Sequence, residues 1–452
     1  MSFNPSPPTL MHVDLNSCFA TVEQQANPRL RGKPVAVAAY TTGNGCILAP
    51  SVEAKRYGVK TGMRVRDGRE LCPFLIVLPS DPWKYRFVNR KLLSLTREYT
   101  ADVEVKSIDE MVLNMTRSPR LNHESGSMNQ GRASERISMI PNSKFLIREV
   151  VNVMLECGRE IKQRIKEEIG DWLTVSVGIA PNRFLAKTAA GLHKPDGLDV
   201  IDGTNIETIL FGLELEDLCG IKEGNGGRLR QFGIHTTKDF YHASAVDLER
   251  AFHSVVGRHW WMRLHGYEID DRQLGRKSFG HSYALYKPYT KDTKEFAQIM
   301  TQLTAKTGRR LRANHYTARG IHVSLLFSDG SFWHEGKKLA YSIFTDADVY
   351  GAAVAVAMRA PMKPVKLAAI SCMYLSHDLY DQQLLFPEDH RKMRLTQAID
   401  AIADRWGDFS VKPGRMLGME TAIMDRIAFG GVAGLEEFVF KEEIVADRYL
   451  PS

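Results

Sequence analysis

The stretch VEVKSIDEMVLNMT, residues 103–116, limits what this chain can fold into more than any other. Val103 and Val105 alternate with Glu104 and Lys106, and Met111, Leu113 and Met115 alternate with Val112, Asn114 and Thr116. Alternation of period two marks strands, because successive side chains point to opposite faces of a sheet. Where the two runs meet, Asp109 and Glu110 stand side by side. The two strands must therefore join at SIDE in a hairpin or bulged junction, since only a bend lets adjacent carboxylates aim at one point.

The surrounding sequence supplies the rest of a sheet. In MHVDLNSCFATVEQQ, His12 and Asp14 alternate with Val13 and Leu15 before the pattern turns helical, which puts Asp14 near the end of a first strand. A short unit follows over about residues 18–82, with the strand KPVAVAAY, the turn TTGNG and the helix-forming SVEAKRYG closed by Gly58. DPWKYRFVNRKLLSLTREYT reads as a helix with Phe87, Leu92, Leu95 and Tyr99 on its apolar side. Residues 117–146 are polar and short of large apolar side chains, so a flexible insertion is expected there. A long amphipathic helix with Ile147, Val151, Met154, Ile161 and Ile165 as its stripe leads to the strand WLTVSVGIA, a helix from Asn182 to Gly191 and the turn HKPDG.

That order gives a mixed sheet with helices, interrupted early by a small insert. Residues 202–272 read as short helices with glycine turns, and LCGIKEGNGGRLRQFGI has the look of a helix-hairpin-helix, whose tight turn offers backbone N–H groups to DNA phosphates. RQLGRKSFG is a basic linker. From residue 281 a long helix lies between alternating strands, as in a separate α+β domain.

Composition excludes several classes. The six cysteines show no CxxC pair, so neither a structural zinc nor a disulfide framework is expected, and a reducing compartment is. The N-terminus has no basic and apolar leader, and no run approaches 18 apolar residues, so the protein is expected in the cytoplasm, with no membrane partner. Net charge is +7, but residues 275–322 hold ten Lys/Arg against two acids, a local +8 that leaves the remainder at −1. Such a segment is either a face for a polyanion or an ordinary solvated basic surface.

Asp14, Asp109 and Glu110 are candidates for one cluster. Each taken singly could be a turn or cap residue. Together they would repel unless a hard cation with oxygen ligands lay between them, and two such ions can clamp the attacking and leaving oxygens of a phosphoryl transfer. Cations for a phosphate substrate are available in Lys55, Arg56, Arg183, Lys187 and Lys194, and Phe19, one turn after Asp14, is core by default.

These motifs resemble the Y family of translesion DNA polymerases, of the bacterial DNA polymerase IV and UmuC type, over about residues 11–406. VDLNSCFATVE is similar to the family's first motif, SIDE to its acidic tetrapeptide with Ser107, and SVGIAPNRFLAKTAAGLHKPDG to its third motif. The resemblance implies an α+β multidomain right hand. Its palm would take residues 1–17 and 83–201, small fingers 18–82, a helical thumb 202–272, a linker 273–280, an α+β little finger 281–381, and a C-terminal segment 382–452. It implies a template-directed polymerase that adds dNTPs to primer-template DNA with low fidelity, as a monomer, in DNA repair and the SOS response. Two Mg²⁺ ions would be held by Asp14, Asp109, Glu110 and the Leu15 carbonyl. Lys55 and Lys194 would meet the triphosphate, Lys187 would be a palm lysine, and Phe19 would be the gate against ribonucleotides. Lys277, Arg309, Arg310, Arg312 and Arg319 would grip the DNA backbone. DQQLLFPE resembles a sliding-clamp motif through Gln382, Leu385 and Phe386, although an exposed loop end reads the same way.

Two departures stand out. Val52 and Lys55 replace the tyrosine and arginine found in many relatives, as in UmuC-like sequences, and the thumb glycine turn keeps only the first expected glycine. Rival readings are a polymerase-like accessory protein with impaired catalysis, a DNA-binding repair module and a palm-fold nucleotide cyclase.

Overall fold

The first strand of the chain is buried along its whole length and takes a partner on each edge. In the computed structural model, which describes residues 3–123, 144–271, 276–377 and 387–418, the chain divides between residues 272 and 273 into two units. The first runs β1 (Leu10–Leu15), α1 (Cys18–Ala26), β2 (Val35–Ala38), β3 (Ile47–Pro50), α2 (Val52–Arg56), α3 (Val65–Leu71), β4 (Ile76–Pro79), α4 (Pro82–Arg97), β5 (Val103–Val105), β6 (Glu110–Asn114), α5 (Pro119–His123), α6 (Lys144–Arg164), β7 (Val175–Ala180), α7 (Arg183–Leu192) and β8 (Leu198–Val200). Five strands form one sheet in the order β5-β6-β1-β7-β8, antiparallel except for β7 and β8.

The junction at SIDE is a hairpin. Val103 pairs with Leu113 and Val105 with Met111, and residues 106–109 make the turn. The next ladder sets Asp14 directly opposite Glu110. A slip of one residue would send one of the two carboxylates to the other face.

Helix faces differ in detail from the sequence pattern. On α4 the buried stripe is Tyr85, Val88, Leu92 and Leu95, while Phe87 is 39% exposed. On α6 the stripe is Val150, Val153, Met154, Cys157 and Ile161, with Ile147 and Val151 only half buried. Both errors have one cause: several apolar residues lie close together, and the packing partner, not the local pattern, selects which of them face inward.

The small insert forms its own sheet, β3-β2-β4, over a core of Ala36, Ala38, Ile47, Ala54, Val59, Val65, Cys72 and Leu75. Its expected start at residue 18 is not where the packing divides. Cys18, Phe19, Ala20 and Val22 of α1 lie in the core of the large sheet, because α1 follows β1 with only two residues between and must lie against that sheet. The expected insertion at 117–146 falls mostly on residues 124–143, outside the described residues; on its flanks α5 and the first turn of α6 are helical.

Beyond β8 come α8 (Ile206–Leu210), α9 (Glu223–Gln231), α10 (Thr237–His242), α11 (Ala245–Phe252) and α12 (Val256–Leu264), packed around Phe240, Phe252 and Trp260. Gly220, at φ +96, makes the turn into α9, and a Cβ there would lie 3.2 Å from the Trp260 ring. The element before that turn is a 3₁₀ turn over Leu215–Asp217, so the motif read as helix-hairpin-helix has a full helix on one side only.

The second unit is a four-stranded antiparallel sheet, β11-β10-β12-β9, built from β9 (Ser278–Tyr289), β10 (Thr317–Phe327), β11 (Phe332–Ile343) and β12 (Val365–Ser376). Helices α13 (Lys294–Ala313) and α14 (Asp346–Ala357) contribute Phe296, Ile299, Leu303, Leu311, Val349 and Val356 to its core. β9 begins inside the segment expected as linker. A last helix, α15 (Pro387–Trp406), is tied to α13 by Asp400 and Arg312. Among the described residues no helix is long and apolar enough to cross a membrane.

Candidate active site

The site lies at the end of β1. Asp14 is 8% exposed and its Oδ2 accepts a 2.7 Å hydrogen bond from Lys194 Nζ. Glu110 opposite it is bonded through both oxygens to Lys187 Nζ, at 2.8 and 2.6 Å. Asp109 sits in the turn, where its Oδ1 accepts from Ser107 Oγ, and its carbonyl accepts from the Leu15 amide at 2.9 Å. That last bond fastens the SIDE turn to the end of β1. Asn89 of α4, 2% exposed, holds the same turn from below by donating to the Ile108 carbonyl at 2.8 Å.

The lysines are placed by equally specific contacts. Gly178 of β7 lets α7 lie flush on the sheet: a Cβ there would come within 2.1 Å of the Ala186 carbonyl oxygen and 2.2 Å of the Ala190 nitrogen. Lys187 is thereby held over Glu110. The HKPDG turn that carries Lys194 is anchored by Asn16, whose Oδ1 accepts from the Asp196 amide at 2.8 Å while its Nδ2 donates to Ser176 Oγ at 2.9 Å. Lys162 of α6 and Lys166, just past the end of that helix, pair with the Asp196 carboxylate at 3.2 Å each.

The electrostatics are those of a site short of positive charge. Burial pushes the Asp14 carboxyl up to about 6; Lys194 opposes this, and Glu110 and Asp109 add to it. Burial also raises Asp109, against its bond to Ser107 and with the repulsion of Glu110. Burial would raise Glu110 too, but the bonds and charge of Lys187 outweigh it, and that carboxyl sits below its ordinary range. Two ammonium groups thus supply the positive charge that Asp14 and Glu110 need. Oxygen donors, buried and mutually repelling, are the donor set a hard divalent cation takes, so the residues fit such an ion.

Of the other sequence candidates, Lys55 belongs to this region: burial lowers its pKa, Lys194 lowers it further, and Asp14 opposes both. Phe19 is 6% exposed and stacked on Tyr85 at 4.3 Å between ring centroids. Arg183 does not join the site; it is locked between Glu104 and Glu268, each 3.1 Å away.

In the second unit Lys277 and Arg319 are exposed. Arg310 is partly buried and donates to the Gly280 carbonyl at 3.2 Å. Arg309 pairs with Asp404 at 2.6 Å and with Asp408. Arg312 corrects the expectation: it is 8% exposed, bonded to Asp346 and Asp400, and is a structural residue instead of a DNA contact. Its acids come from outside the basic segment, which is why a local charge count missed them. Gln382, Leu385 and Phe386 lie outside the described residues.

The sequence reading missed His12, Asn16 and Asn89. His12 carried a usable signal, since it lies two residues before Asp14 and hence on the same strand face.

Comparisons with known proteins identify the family. The impB/mucB/samB family matches residues 13–191, and that family's C-terminal domain matches residues 276–385. The DNA polymerase IV of Pelotomaculum thermopropionicum is 31% identical, over 89% of this chain and 94% of its own; that of Moorella thermoacetica is 33% identical, over 88% and 94%. Among solved structures, a Y-family DNA polymerase chimera of Dbh and Dpo4 superposes with a TM-score of 0.66 at 25% identity, covering 81% of this chain and 98% of that one. The insertion ternary complex of Dbh DNA polymerase reaches 0.51 at 25% identity, covering 80% and 98%. Fold, site and relatives define a DNA-directed DNA polymerase. The chain belongs to the Y family of translesion polymerases, of the DinB and UmuC type.

Proposed function

We propose that this protein extends a DNA primer from dNTPs by a two-metal phosphoryl transfer, with low fidelity and with tolerance of damaged templates. The observation that carries the reading is the register that sets Asp14 against Glu110 with Asp109 in the adjoining turn, three carboxylates of which two are met here by lysine and the third by the Ser107 hydroxyl. Asp14, Asp109, Glu110 and the Leu15 carbonyl would hold two Mg²⁺ ions, which when bound supply positive charge to the attacking and leaving oxygens. The reaction joins the primer O3′ to the α-phosphorus of the dNTP and breaks that phosphorus's bond to the departing pyrophosphate.

The chain's own groups orient and select. Lys55 and Lys194 meet the negative charge of the triphosphate, Phe19 presses against the sugar where a 2′-hydroxyl would project, and Asn89 and Asn16 keep the acidic turn and the lysine turn in place. Lys277 and Arg319 contact the duplex backbone without reading bases, so binding weakens as salt rises. The segment with Gln382, Leu385 and Phe386 docks on a sliding clamp, and the protein acts as a monomer in the cytoplasm. The carboxylates that a catalytically impaired accessory protein would lose are all present.

Primer extension on undamaged and abasic templates, with and without Mg²⁺, tests the reading. Metal-dependent extension past the lesion is expected, and its absence on both templates would sink the enzymatic assignment. In the same assay Phe19→Ala should raise the ratio of ribonucleotide to deoxyribonucleotide incorporation at least tenfold, as an order-of-magnitude expectation for losing a steric contact. An unchanged ratio would remove Phe19 from the gate role.

A further inference from the structure

His12 is enclosed without a partner. It is 1% exposed, and neither ring nitrogen has a hydrogen-bond partner among the described residues. Across the sheet it faces Val112 on one side and Gly178 on the other, in the patch that α7 covers. Its Nε2 lies 3.8 Å from Glu110 Oε2, just beyond a hydrogen bond, and one ligand atom from each of His12, Asp14 and Glu110 falls within 4.8 Å of the others. A buried polar group left unpaired costs free energy, and a native fold rarely keeps one without a use.

Glu110 already has its lysine. Both of its oxygens are taken by Lys187, whose ammonium is a point charge on a flexible stem and 36% exposed. A carboxylate that is to bind a divalent cation must give up that contact, and it then needs something to fix its rotation. We propose that His12 is a positioning residue for Glu110: its ring N–H takes Oε2 when Lys187 lets go, and so aims the other oxygen at the cation. The inference rests on the metal-binding reading of the carboxylates given above. Partners that orient a ligating carboxylate are worth about 10–100-fold in metal affinity. A neutral ring has one N–H to give and one bare nitrogen.

The test uses Mn²⁺ as probe, followed by electron paramagnetic resonance on the free full-length protein, beside the metal dependence of primer extension. His12→Phe should weaken Mn²⁺ binding about tenfold and raise the metal concentration for half-maximal extension to match, with the KM for dNTP unchanged at saturating metal. His12→Gln, which keeps an N–H donor, should recover most of both. Wild-type Mn²⁺ affinity in His12→Phe would overturn the proposal, as would failure of His12→Gln to recover binding while it melts normally. Nitrogen coupling to bound Mn²⁺ that disappears in His12→Gln would make His12 a ligand and overturn the positioning role. If Glu110→Gln itself leaves Mn²⁺ binding unchanged, the metal reading falls and takes this inference with it.

Discussion

Arg312 in the second unit and Lys187 and Lys194 in the first are cations bonded to carboxylates, but the bonds are of different kinds. The Arg312 side chain is 7% exposed and its guanidinium meets Asp400 through two parallel 2.7 Å bonds, with Asp346 at 2.8 Å and the Phe344 carbonyl at 2.9 Å on its other side. A planar fork saturated in this way has nowhere to go. The two lysines are 36% and 42% exposed, each meets one carboxylate, and the third carboxylate, Asp109, accepts from Ser107 Oγ instead of from either lysine among the described residues. Burial raises Asp346 as it raises Asp14, so burial is not the distinction. The distinction is whether the positive partner is fixed or can be exchanged, and it separates a staple from a binding site.

Removing an acid from one cluster and the cation from the other should break the comparison most sharply. Asp109→Ala or Glu110→Ala is expected to slow primer extension at least 10³-fold, about 4 kcal/mol of lost transition-state stabilisation, while primer-template binding and the melting curve stay near wild type. Extension at the wild-type rate in both variants would remove these residues from the chemistry. Arg312→Ala should do the reverse. Stranding Asp346 and Asp400 should cost the second unit about 3–5 kcal/mol in urea unfolding, with the rate of nucleotide addition little changed at temperatures where the unit stays folded. A variant of normal stability but with DNA affinity lost would return Arg312 to the DNA interface.

The smallest effect is on pH. The folded-state pKa of Asp14, about 6, lies above its ordinary value of 3.8, so the folded protein holds a proton that the unfolded chain has released between those limits. Stability therefore falls as pH rises through that window, and the cost is complete above it. Asp14→Asn should raise the stability of the metal-free protein by about 1 kcal/mol at pH 8, the gain shrinking to nothing near pH 4, after allowing for the partner that Lys194 loses. Equal stability of variant and wild type at pH 8 and at pH 4 would mean that the cluster is as well satisfied as the one around Arg312.

Much of this was legible in the chain. The alternation on both sides of SIDE called for a hairpin or a bulged junction, and of the two β5 and β6 make the hairpin. The change from alternation to helical spacing after Leu15 put Asp14 at a strand end, where β1 carries it. Which of several apolar residues faced inward was less legible: Phe87 and Tyr85 are two positions apart on α4, and only the partner surface decided between them.

The sequence by itself determined the strand junction, the strand-end aspartate and the kind of chemistry three such carboxylates can do, because these depend on neighbours a few residues away. Tertiary structure alone decided that Lys187 meets Glu110 across 77 residues and Lys194 meets Asp14 across 180, that His12 is shut in beside them, and that Arg312 is silenced by Asp346 and Asp400. Charge acts through space and burial sets its strength, so a count along the chain records how much charge a segment carries but not what stands opposite it.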